Sequence, residues 1–314
     1  MKTLFVPLDG SSMAEQVLPY VRLLAKYLDT KVHLFCVIPD EGSDVLFEPE
    51  YVCVTASGNA SVDTLTYTPQ IKQHSYRHEL QEAEQYLIRK ARVISTDGVY
   101  VDVEVCRGVP SELIVAYAER LPDPLITMAT HGYGGFQRWR VGSVADAVIH
   151  ATMCPVFLVH GVDPLPQTGP ALRRILVPLD GSSFARQALP YALELATRAR
   201  AELMLLHTVE PIVETYGVTY PLTANDAKRH MEEVQKELAT LATELSASHI
   251  KITPITSLGF VVEDIVNVAA QHTVDLIVMA THGRTGLARW VLGNKSDQVL
   301  HATTTPLLLV RPGD

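Results

Sequence analysis

The chain carries the same pattern twice, and this duplication restricts its fold more than any other feature. The stretch LFVPLDGSSMAEQVLPY (4–20) returns as ILVPLDGSSFARQALPY (175–191), and HATMCPVFLVH (150–160) returns as HATTTPLLLVR (301–311). A glycine-rich phrase also occurs twice, as ATHGYGGFQRWRVGS and as ATHGRTGLARWVLGN. Because each copy holds the same set of phrases in the same order, the sequence predicts two copies of one domain in tandem.

The copies differ in length at one place. The offset between equivalent residues is 171 for Asp9 and Asp180 but 151 for His131 and His282, so the first copy has 20 extra residues. The polar stretch 40–70 is the predicted insertion. Residues 161–171, GVDPLPQTGPA, contain three prolines and two glycines and are typical of a linker. We therefore predict one domain at 1–160 and a second at 172–314.

Apolar runs alternate with amphipathic ones within each copy, most clearly in the second. The second copy predicts strands at 174–180, 202–209, 250–259, 274–283 and 305–311. Helices are predicted between them at 182–200 (with Ser182 or Ser183 as N-cap), 223–248, 260–272 and 294–302. Such alternation indicates a parallel sheet with helices on both faces, which is a doubly wound α/β domain.

Composition excludes several classes of function. Net charge is −9 and no cluster of Lys and Arg forms a phosphate-backbone footprint, so we expect no nucleic-acid partner. The four cysteines lack CxxC spacing, which argues against a disulfide framework and a zinc site. The N-terminal MKTLFVPLDG lacks a signal-peptide core, and no apolar run approaches the ~20 residues of a membrane span. We expect a soluble, cytoplasmic protein without a membrane partner.

Both repeated polar phrases follow predicted strands, where doubly wound sheets bind ligands. Gly132, Gly134 and Gly135 allow backbone N–H groups to converge on an anion. Gly142 and Ser143 open the next helix, whose free N–H groups and dipole favour a phosphate. The phrase matches neither a P-loop nor a dinucleotide-binding fingerprint. That the glycines only turn a surface loop remains an alternative.

With these residues the chain resembles the universal stress protein family, in its tandem two-domain form. Nucleotide-binding members carry G-x2-G-x9-G-[ST]. At that spacing the first copy reads Ala129-x2-Gly132-x9-Gly142-Ser143, and the second reads Ala280-x2-Gly283-x9-Gly293-Asn294. Alanine replaces the first glycine in both copies, and Asn294 replaces the final hydroxyl in the second. The resemblance covers nearly the whole chain. It implies two five-stranded parallel sheets of order 3-2-1-4-5, as in adenine nucleotide alpha hydrolase-like folds.

The resemblance also implies ATP as the ligand, and a triphosphate can bring Mg²⁺ with it although the chain has no metal motif. In the first copy the implied site residues are Pro7, Asp9, Val37, Ala129, His131, Gly132, Gly142, Ser143 and Val144. In the second copy they are Pro178, Asp180, Thr208, Ala280, Gly283, Gly293 and Asn294. The hydroxyl of Ser143 favours the first copy, while Lys295 could compensate for Asn294 in the second.

Other residues have a simpler structural interpretation. The two aspartates that follow the first strand of each copy could cap a turn instead of binding ligand. We predict that Trp139 and Trp290 pack under the glycine-rich loops and do not stack on adenine. His150 and His301 lie near helix C-termini, where a cation suits the dipole, so we interpret both as structural.

Three classes of function remain open. The first is an ATP-binding stress or signalling protein with little or no hydrolysis, since no general base is positioned in the glycine-rich phrase. The second is an enzyme such as a slow ATPase, and the third is an interaction module with vestigial pockets. The family resemblance also implies an internal pseudo-dimer of the two domains across Val156 to Val159 and Leu307 to Val310, and a further homodimer is an additional expectation.

Overall fold

The computed structural model describes residues 1–40, 54–55, 73–95, 98–130, 142–161, 169–215, 218–245, 249–281 and 294–311. These residues divide into two compact units, one ending at Gly169 and the other beginning at Pro170. We call them copy one and copy two. Residues 162–168 of the predicted linker lie outside the described residues, and the exact domain boundaries stay a prediction.

Copy one is an α/β unit. Its strands are β1 (Thr3–Pro7), β2 (Lys31–Pro39), β3 (Val54–Thr55), β4 (Val101–Gly108), β5 (Pro124–Thr130) and β6 (Val156–His160). Its helices are α1 (Leu18–Leu28), α2 (Gln73–Ser95), α3 (Pro110–Ala118) and α4 (Ser143–Ala151). Helix α1 buries one stripe at the spacing of an amphipathic helix, made of Val21, Leu24, Ala25 and Leu28.

Copy two repeats this arrangement. Its strands are β7 (Arg174–Pro178), β8 (Glu202–Val209), β9 (Ile212–Thr215), β10 (Val218–Pro221), β11 (Ile252–Leu258), β12 (Leu276–Ala280) and β13 (Leu307–Val310). Its helices are α5 (Leu189–Ala199), α6 (Ala224–Leu245), α7 (Val261–Gln271) and α8 (Asn294–Ala302).

The strand order confirms the predicted fold. In copy one the parallel strands follow the order β4-β2-β1-β5-β6, and in copy two they follow β11-β8-β7-β12-β13. Numbered within each copy, both orders are 3-2-1-4-5. The first and fourth strands are therefore neighbours, and the polar segments that follow them lie at the point where the strand order reverses.

Three features differ from the sequence-based expectation. The insertion contributes β3, which pairs antiparallel with β4 at the sheet edge. Strands β9 and β10 form a separate antiparallel hairpin, in a stretch where no strand was predicted. The first helix of each copy begins with a 3-10 turn, Ala14–Val17 or Ala185–Ala188, and the α-helix starts at the leucine before a proline. This proline fits the first turn because N–H groups there need no helical partner.

The core of each copy lies between its sheet and its helices. The central strands β1 and β7 are almost wholly buried, as expected for parallel strands covered on both faces. Among the described helices, none is long and apolar enough to cross a membrane.

Candidate functional site

The turn after the first strand has the same geometry in both copies. In copy two, Asp180 Oδ1 accepts hydrogen bonds from Ser182 N at 2.9 Å and from Ser182 Oγ at 2.5 Å. In copy one, Asp9 Oδ1 accepts one from Ser11 N at 2.9 Å. The glycine after each aspartate has a positive φ, of 82° at Gly10 and 81° at Gly181. Each aspartate therefore stabilises a tight turn, and each is exposed at the carboxyl end of its sheet.

The serine that follows continues this local network. Ser182 Oγ accepts from Ala185 N at 3.0 Å, and Ser11 Oγ accepts from Ala14 N at 3.1 Å. The prediction that Ser182 or Ser183 is the N-cap was wrong: Phe184 precedes the 3-10 turn and Ala188 precedes α5, and neither makes a side-chain cap hydrogen bond. Ser182 binds the N–H of Ala185 from the turn instead, because the chain enters the helix through a 3-10 turn. Both aspartates therefore stabilise their turns, as the alternative interpretation predicts. Their carboxylates are nevertheless exposed at the carboxyl end of the sheet, where doubly wound folds bind ligands.

A cavity of about 410 Å³ opens at the carboxyl ends of β7, β8 and β12 in copy two. Four residues implied by the family resemblance line it, namely Pro178, Asp180, Thr208 and Ala280. The volume lies within the range of small-molecule sites, which is about 300–1,000 Å³. The structure thus brings together residues that are up to 102 positions apart in the sequence, from Pro178 to Ala280.

The floor of this cavity is apolar. Leu206, Ile265 and Met279 line it and are almost fully buried, while Val261 and Phe184 complete the wall. Sequence reasoning missed all five. Only Leu206 had a usable signal, since it lies two residues before Thr208 and so faces the same side of β8. An apolar floor below a polar rim suits a flat aromatic ring that carries polar substituents.

The rim carries both signs of charge. Lys295 Nζ, in the first turn of α8, lies 2.7 Å from Glu210 Oε1, just after β8. Both residues line the cavity, as do Asp180 and Ser296. Ser296 Oγ donates to Ala280 O at 3.4 Å, which ties the start of α8 to the end of β12. The cation predicted beside Asn294 is therefore present at the site, paired with a carboxylate that the sequence did not indicate.

A chain of polar contacts runs behind Thr208. Its Oγ1 lies 3.3 Å from Ser257 Oγ, and Ser257 Oγ donates to Asp264 Oδ2 at 2.5 Å. Asp264 lies in the first turn of α7, where the helix dipole favours a negative charge. This chain links β8, β11 and α7 at the carboxyl end of the sheet. It had no signal in the sequence, because its three residues belong to separate elements.

In copy one, the described part of the predicted site has the same layout. Pro7, Val37 and Ala129 lie at the ends of β1, β2 and β5. Gly142 is extended, with φ −60° and ψ 148°, and immediately precedes α4, which starts at Ser143. Ser143 is exposed, and Val144 behind it is half-buried. The N–H groups of the first turn of α4 have no acceptor within the helix, and Gly142 has no side chain that could cap them.

Several predicted site residues fall outside the described residues. These are His131 and Gly132 in copy one and Gly283 and Gly293 in copy two, together with both tryptophans. Asn294 is the first residue of α8. The predicted phosphate-binding role of the glycine-rich phrase therefore stays a prediction in both copies.

Two histidines outside the site fit the structural interpretation. His150 Nδ1 lies 2.7 Å from Asp146 O in the last turn of α4. His301 Nε2 lies 3.5 Å from Asp297 Oδ1 in the last turn of α8. Both contacts span four residues of one helix, which is a stabilising spacing. Among the described residues, no three His, Cys, Asp or Glu side chains are grouped as metal ligands.

Cys36 precedes Val37 in copy one, and the equivalent residue before Thr208 in copy two is His207. The two side chains differ in chemistry. Burial raises the pKa of Cys36 to about 11, and the charge of Asp9 adds to this effect. The thiol is therefore protonated at neutral pH and is not an activated nucleophile. Burial lowers the pKa of His207, and Asp180 opposes this, while His230 lowers the pKa further and Glu237 raises it.

His207 predicts a pH dependence of stability. Its pKa in the folded chain lies below the ordinary 6.5, so the unfolded chain binds more protons between the two values. The contribution of His207 is complete above pH 6.5 and is lost as the pH falls towards the folded pKa. We expect His207→Gln to flatten the loss of copy-two stability as the pH falls below 6.5, measured by denaturant titration. The exposed His272→Gln should leave the slope unchanged, and equal slopes for all three proteins would contradict the prediction.

Comparison with known proteins agrees with the fold. A sequence profile of the universal stress protein family matches residues 1–160 and again residues 171–311. The chain belongs to the universal stress protein family. The double match makes it a tandem member, in agreement with the sequence resemblance.

Individual relatives of this universal stress protein are distant. Universal stress protein Rv2005c of Mycobacterium tuberculosis is 27% identical over 194 residues, which cover 60% of this chain and 61% of the relative. A universal stress protein of Mycolicibacterium smegmatis is 23% identical over 252 residues, which cover 77% of this chain and 78% of the relative. The chain thus spans about three fifths of the length of the M. tuberculosis relative.

Solved structures support the fold. A universal stress protein from Archaeoglobus fulgidus superposes with a TM-score of 0.71 at 20% identity, covering 99% of this chain and 98% of that one. At this identity the likeness establishes the tandem fold and carries no information on ligands.

Proposed function

We propose that this universal stress protein binds an adenine nucleotide, ATP with Mg²⁺, and acts in a nucleotide-dependent stress response or signalling pathway with little or no hydrolysis. The observation that carries the proposal is the cavity of copy two. It lies where the strand order reverses, and it joins an apolar floor to a rim that holds Asp180, Thr208 and Lys295.

Each part of the cavity matches one part of the nucleotide. The floor around Leu206 and Met279 suits the adenine ring, and the exposed carboxylate of Asp180 can accept hydrogen bonds from ribose hydroxyls. We assign the phosphates to Lys295, in the first turn of α8, since cations and helix N-termini both attract them. The sequence favoured copy one because of Ser143, and we now propose a site in each copy.

The charges explain why Mg²⁺ belongs to the proposal. Among the described residues that line the cavity, two carboxylates, Asp180 and Glu210, share the rim with one cation, Lys295. A triphosphate without metal would add further negative charge to this rim. A bound Mg²⁺ would neutralise part of the negative charge of the triphosphate. It would also keep several coordinated waters, which can donate hydrogen bonds to the rim carboxylates. Phosphate binding would require Lys295 to leave Glu210, and their contact is an exposed one of low energy.

The contact between Lys295 and Glu210 also supports a second candidate, in which the copy-two pocket is vestigial and copy two alone acts as an interaction module. In that case the ion pair between Lys295 and Glu210 is permanent, and no phosphate displaces Glu210 from Lys295. Copy one would then be the functional nucleotide site, with Gly142 and Ser143 at the start of α4.

Calorimetric titration of the full chain with ATP and Mg²⁺ tests the proposal. We expect about two nucleotides per chain, micromolar or tighter binding, and no phosphate release beyond the buffer control over several hours. A stoichiometry near one would assign copy two to the vestigial alternative once copy one is shown to hold the nucleotide. Absence of any binding would reject the nucleotide proposal, and steady phosphate release would make the protein an ATPase.

We further propose that the two copies form an internal pseudo-dimer through β6 and β13, as the resemblance implies, and that a homodimer can form in addition. Each of these strands is the last in its own copy and carries an apolar run. Solution scattering that shows the copies moving independently would reject the pseudo-dimer. Among the described residues, Cys36, Cys106 and Cys154 form no disulfide, which supports the reducing cytoplasm that we propose as the location of the protein.

A further inference from the structure

Among the described residues, copy two leaves unpaired a sheet edge whose equivalent in copy one is covered by an additional strand. Strand β11 is the outermost strand of copy two and, among the described residues, it pairs with β8 alone. In copy one the equivalent strand, β4, pairs with β2 on one side and with the short strand β3 on the other. A strand edge without a partner presents a row of N–H and C=O groups that can pair with another chain.

The outward-facing groups of β11 can be assigned from its contacts with β8. Leu203 N donates to Lys251 O at 2.9 Å, and Gly259 N donates to Val209 O at 3.0 Å. In a parallel pair alternate residues face the neighbouring strand, so the odd-numbered residues of β11 bond to β8. Pro254, Thr256 and Leu258 therefore face outward. Because proline has no N–H, a full ladder can begin only at Thr256.

A groove of about 670 Å³ lies beside this end of β11, under helix α6. Ala227, Met231 and Leu258 give it an apolar lining, and Leu258 is 48% exposed. Thr256 Oγ1 donates to Gln235 Oε1 at 2.7 Å, which fixes the side chain at the edge of the groove. An added strand at Thr256 would thus place alternate side chains over an apolar surface.

In copy one, the equivalent edge, that of β4, is already paired with the short strand β3. Val54 of β3 lies opposite Val105 of β4, and Thr55 lies opposite Glu104, in antiparallel register. With the offset of 151 between the copies in this part of the chain, Val105 corresponds to Thr256. The same edge position of the same fold therefore accepts an antiparallel strand in copy one, and that strand comes from the insertion that copy two lacks.

The charges on α6 indicate what kind of segment fits. Lys228 and Lys236 flank the groove with Glu232 between them, so its rim has an excess of one positive charge. The two lysines are eight residues apart on one helix, which is about 12 Å. That distance matches about four residues of extended chain. A short β-branched segment with an acidic flank is complementary to this rim.

We propose that the edge of β11 from Thr256 to Leu258, with the groove under α6, binds an extended segment of a partner protein. The segment adds as an antiparallel strand, carries β-branched apolar side chains and has an acidic residue at its flank. This interaction surface is separate from the cavity at the ends of β7, β8 and β12, and the proposal does not depend on nucleotide binding.

The test uses the full chain and a labelled peptide, EYVSVTA, which is residues 50–56 with Cys53→Ser. We expect saturable binding by fluorescence anisotropy, with amide shifts at Thr256 and Leu258 in NMR spectra. Thr256→Pro removes the outward N–H but leaves the ladder with β8 intact, so it should weaken binding roughly tenfold or more. The matched variant Ile252→Pro changes the same edge outside the groove, at the first residue of the strand, and should bind as the wild type does.

Other results would overturn the proposal. These are no binding at millimolar peptide, unchanged binding by Thr256→Pro, and amide shifts confined to another part of the chain. A wild-type dimer that Thr256→Pro converts to a monomer in analytical ultracentrifugation would assign the edge to a second copy of this chain and reject the partner. Equal affinity for KYVSVTA and EYVSVTA would reject the acidic flank.

Discussion

Ala280→Leu is expected to weaken nucleotide binding to copy two about 100-fold, which corresponds to about 2.7 kcal/mol. Ala280 is the last residue of β12, and its side chain lines the cavity between the ends of β7 and β12. A leucine there would project into the space assigned to the nucleotide. The position is only half-buried, so the larger side chain should cost little stability.

The chain offers a matched variant for this experiment. Ala129 is the equivalent residue of copy one and is likewise half-buried near the end of its strand. In calorimetric titrations with ATP and Mg²⁺, each single variant should remove one of about two sites, and the double variant should remove both. Unchanged affinity and stoichiometry in Ala280→Leu would contradict a copy-two site. Loss of all binding in Ala129→Leu alone would assign the nucleotide to copy one.

Phe35→Ala is expected to destabilise copy one by about 3–5 kcal/mol. Phe35 is fully buried in β2, and its ring centroid lies 5.1 Å from that of Phe5 and 4.8 Å from that of Tyr117. Removing the ring leaves a cavity between the central strands and α3 and also removes two aromatic contacts. In copy two the equivalent residue is Leu206, so this aromatic cluster belongs to copy one alone.

Hydrogen exchange followed by mass spectrometry measures this effect separately in each copy, which a single unfolding curve of a two-domain chain does not. Amides of β1 and β2 should lose protection in Phe35→Ala, while those of β7 and β8 keep theirs. The control Phe260→Ala removes the same atoms from a side chain that is 50% exposed and should change neither copy. Full protection of β1 and β2 in Phe35→Ala would show that the cluster does not stabilise copy one.

The repeated elements were predictable because their signals are local. Buried parallel strands such as β8 and β12 are continuous apolar runs, and helices such as α6 show a stripe of Ala227, Val234, Leu238 and Leu241 at helical spacing. The predicted bounds of β8 and α8 coincide with the observed ones. The hairpin β9–β10 was missed because its residues showed no clear alternation, and among the described strands it pairs only within itself.

The candidate site was predictable in part. Pro178, Asp180, Thr208 and Ala280 were identified by resemblance, and they line one cavity. The apolar floor and Glu210 were missed, because these residues come from separate elements and share no spacing in the chain. The preference for copy one rested on the hydroxyl of Ser143. The described cavity lies in copy two, where Leu206 stands in place of Phe35.

By itself, the sequence determined the duplication, the alternation of strands and helices, and the turn chemistry of PLDGSS, because each of these depends on residues close together in the chain. The tertiary structure alone decided which side chains meet at the cavity, that Lys295 contacts Glu210, and that β3 covers β4 while β11 keeps a free edge among the described strands. These depend on long-range packing, in which residues a hundred positions apart become neighbours only when the strands align.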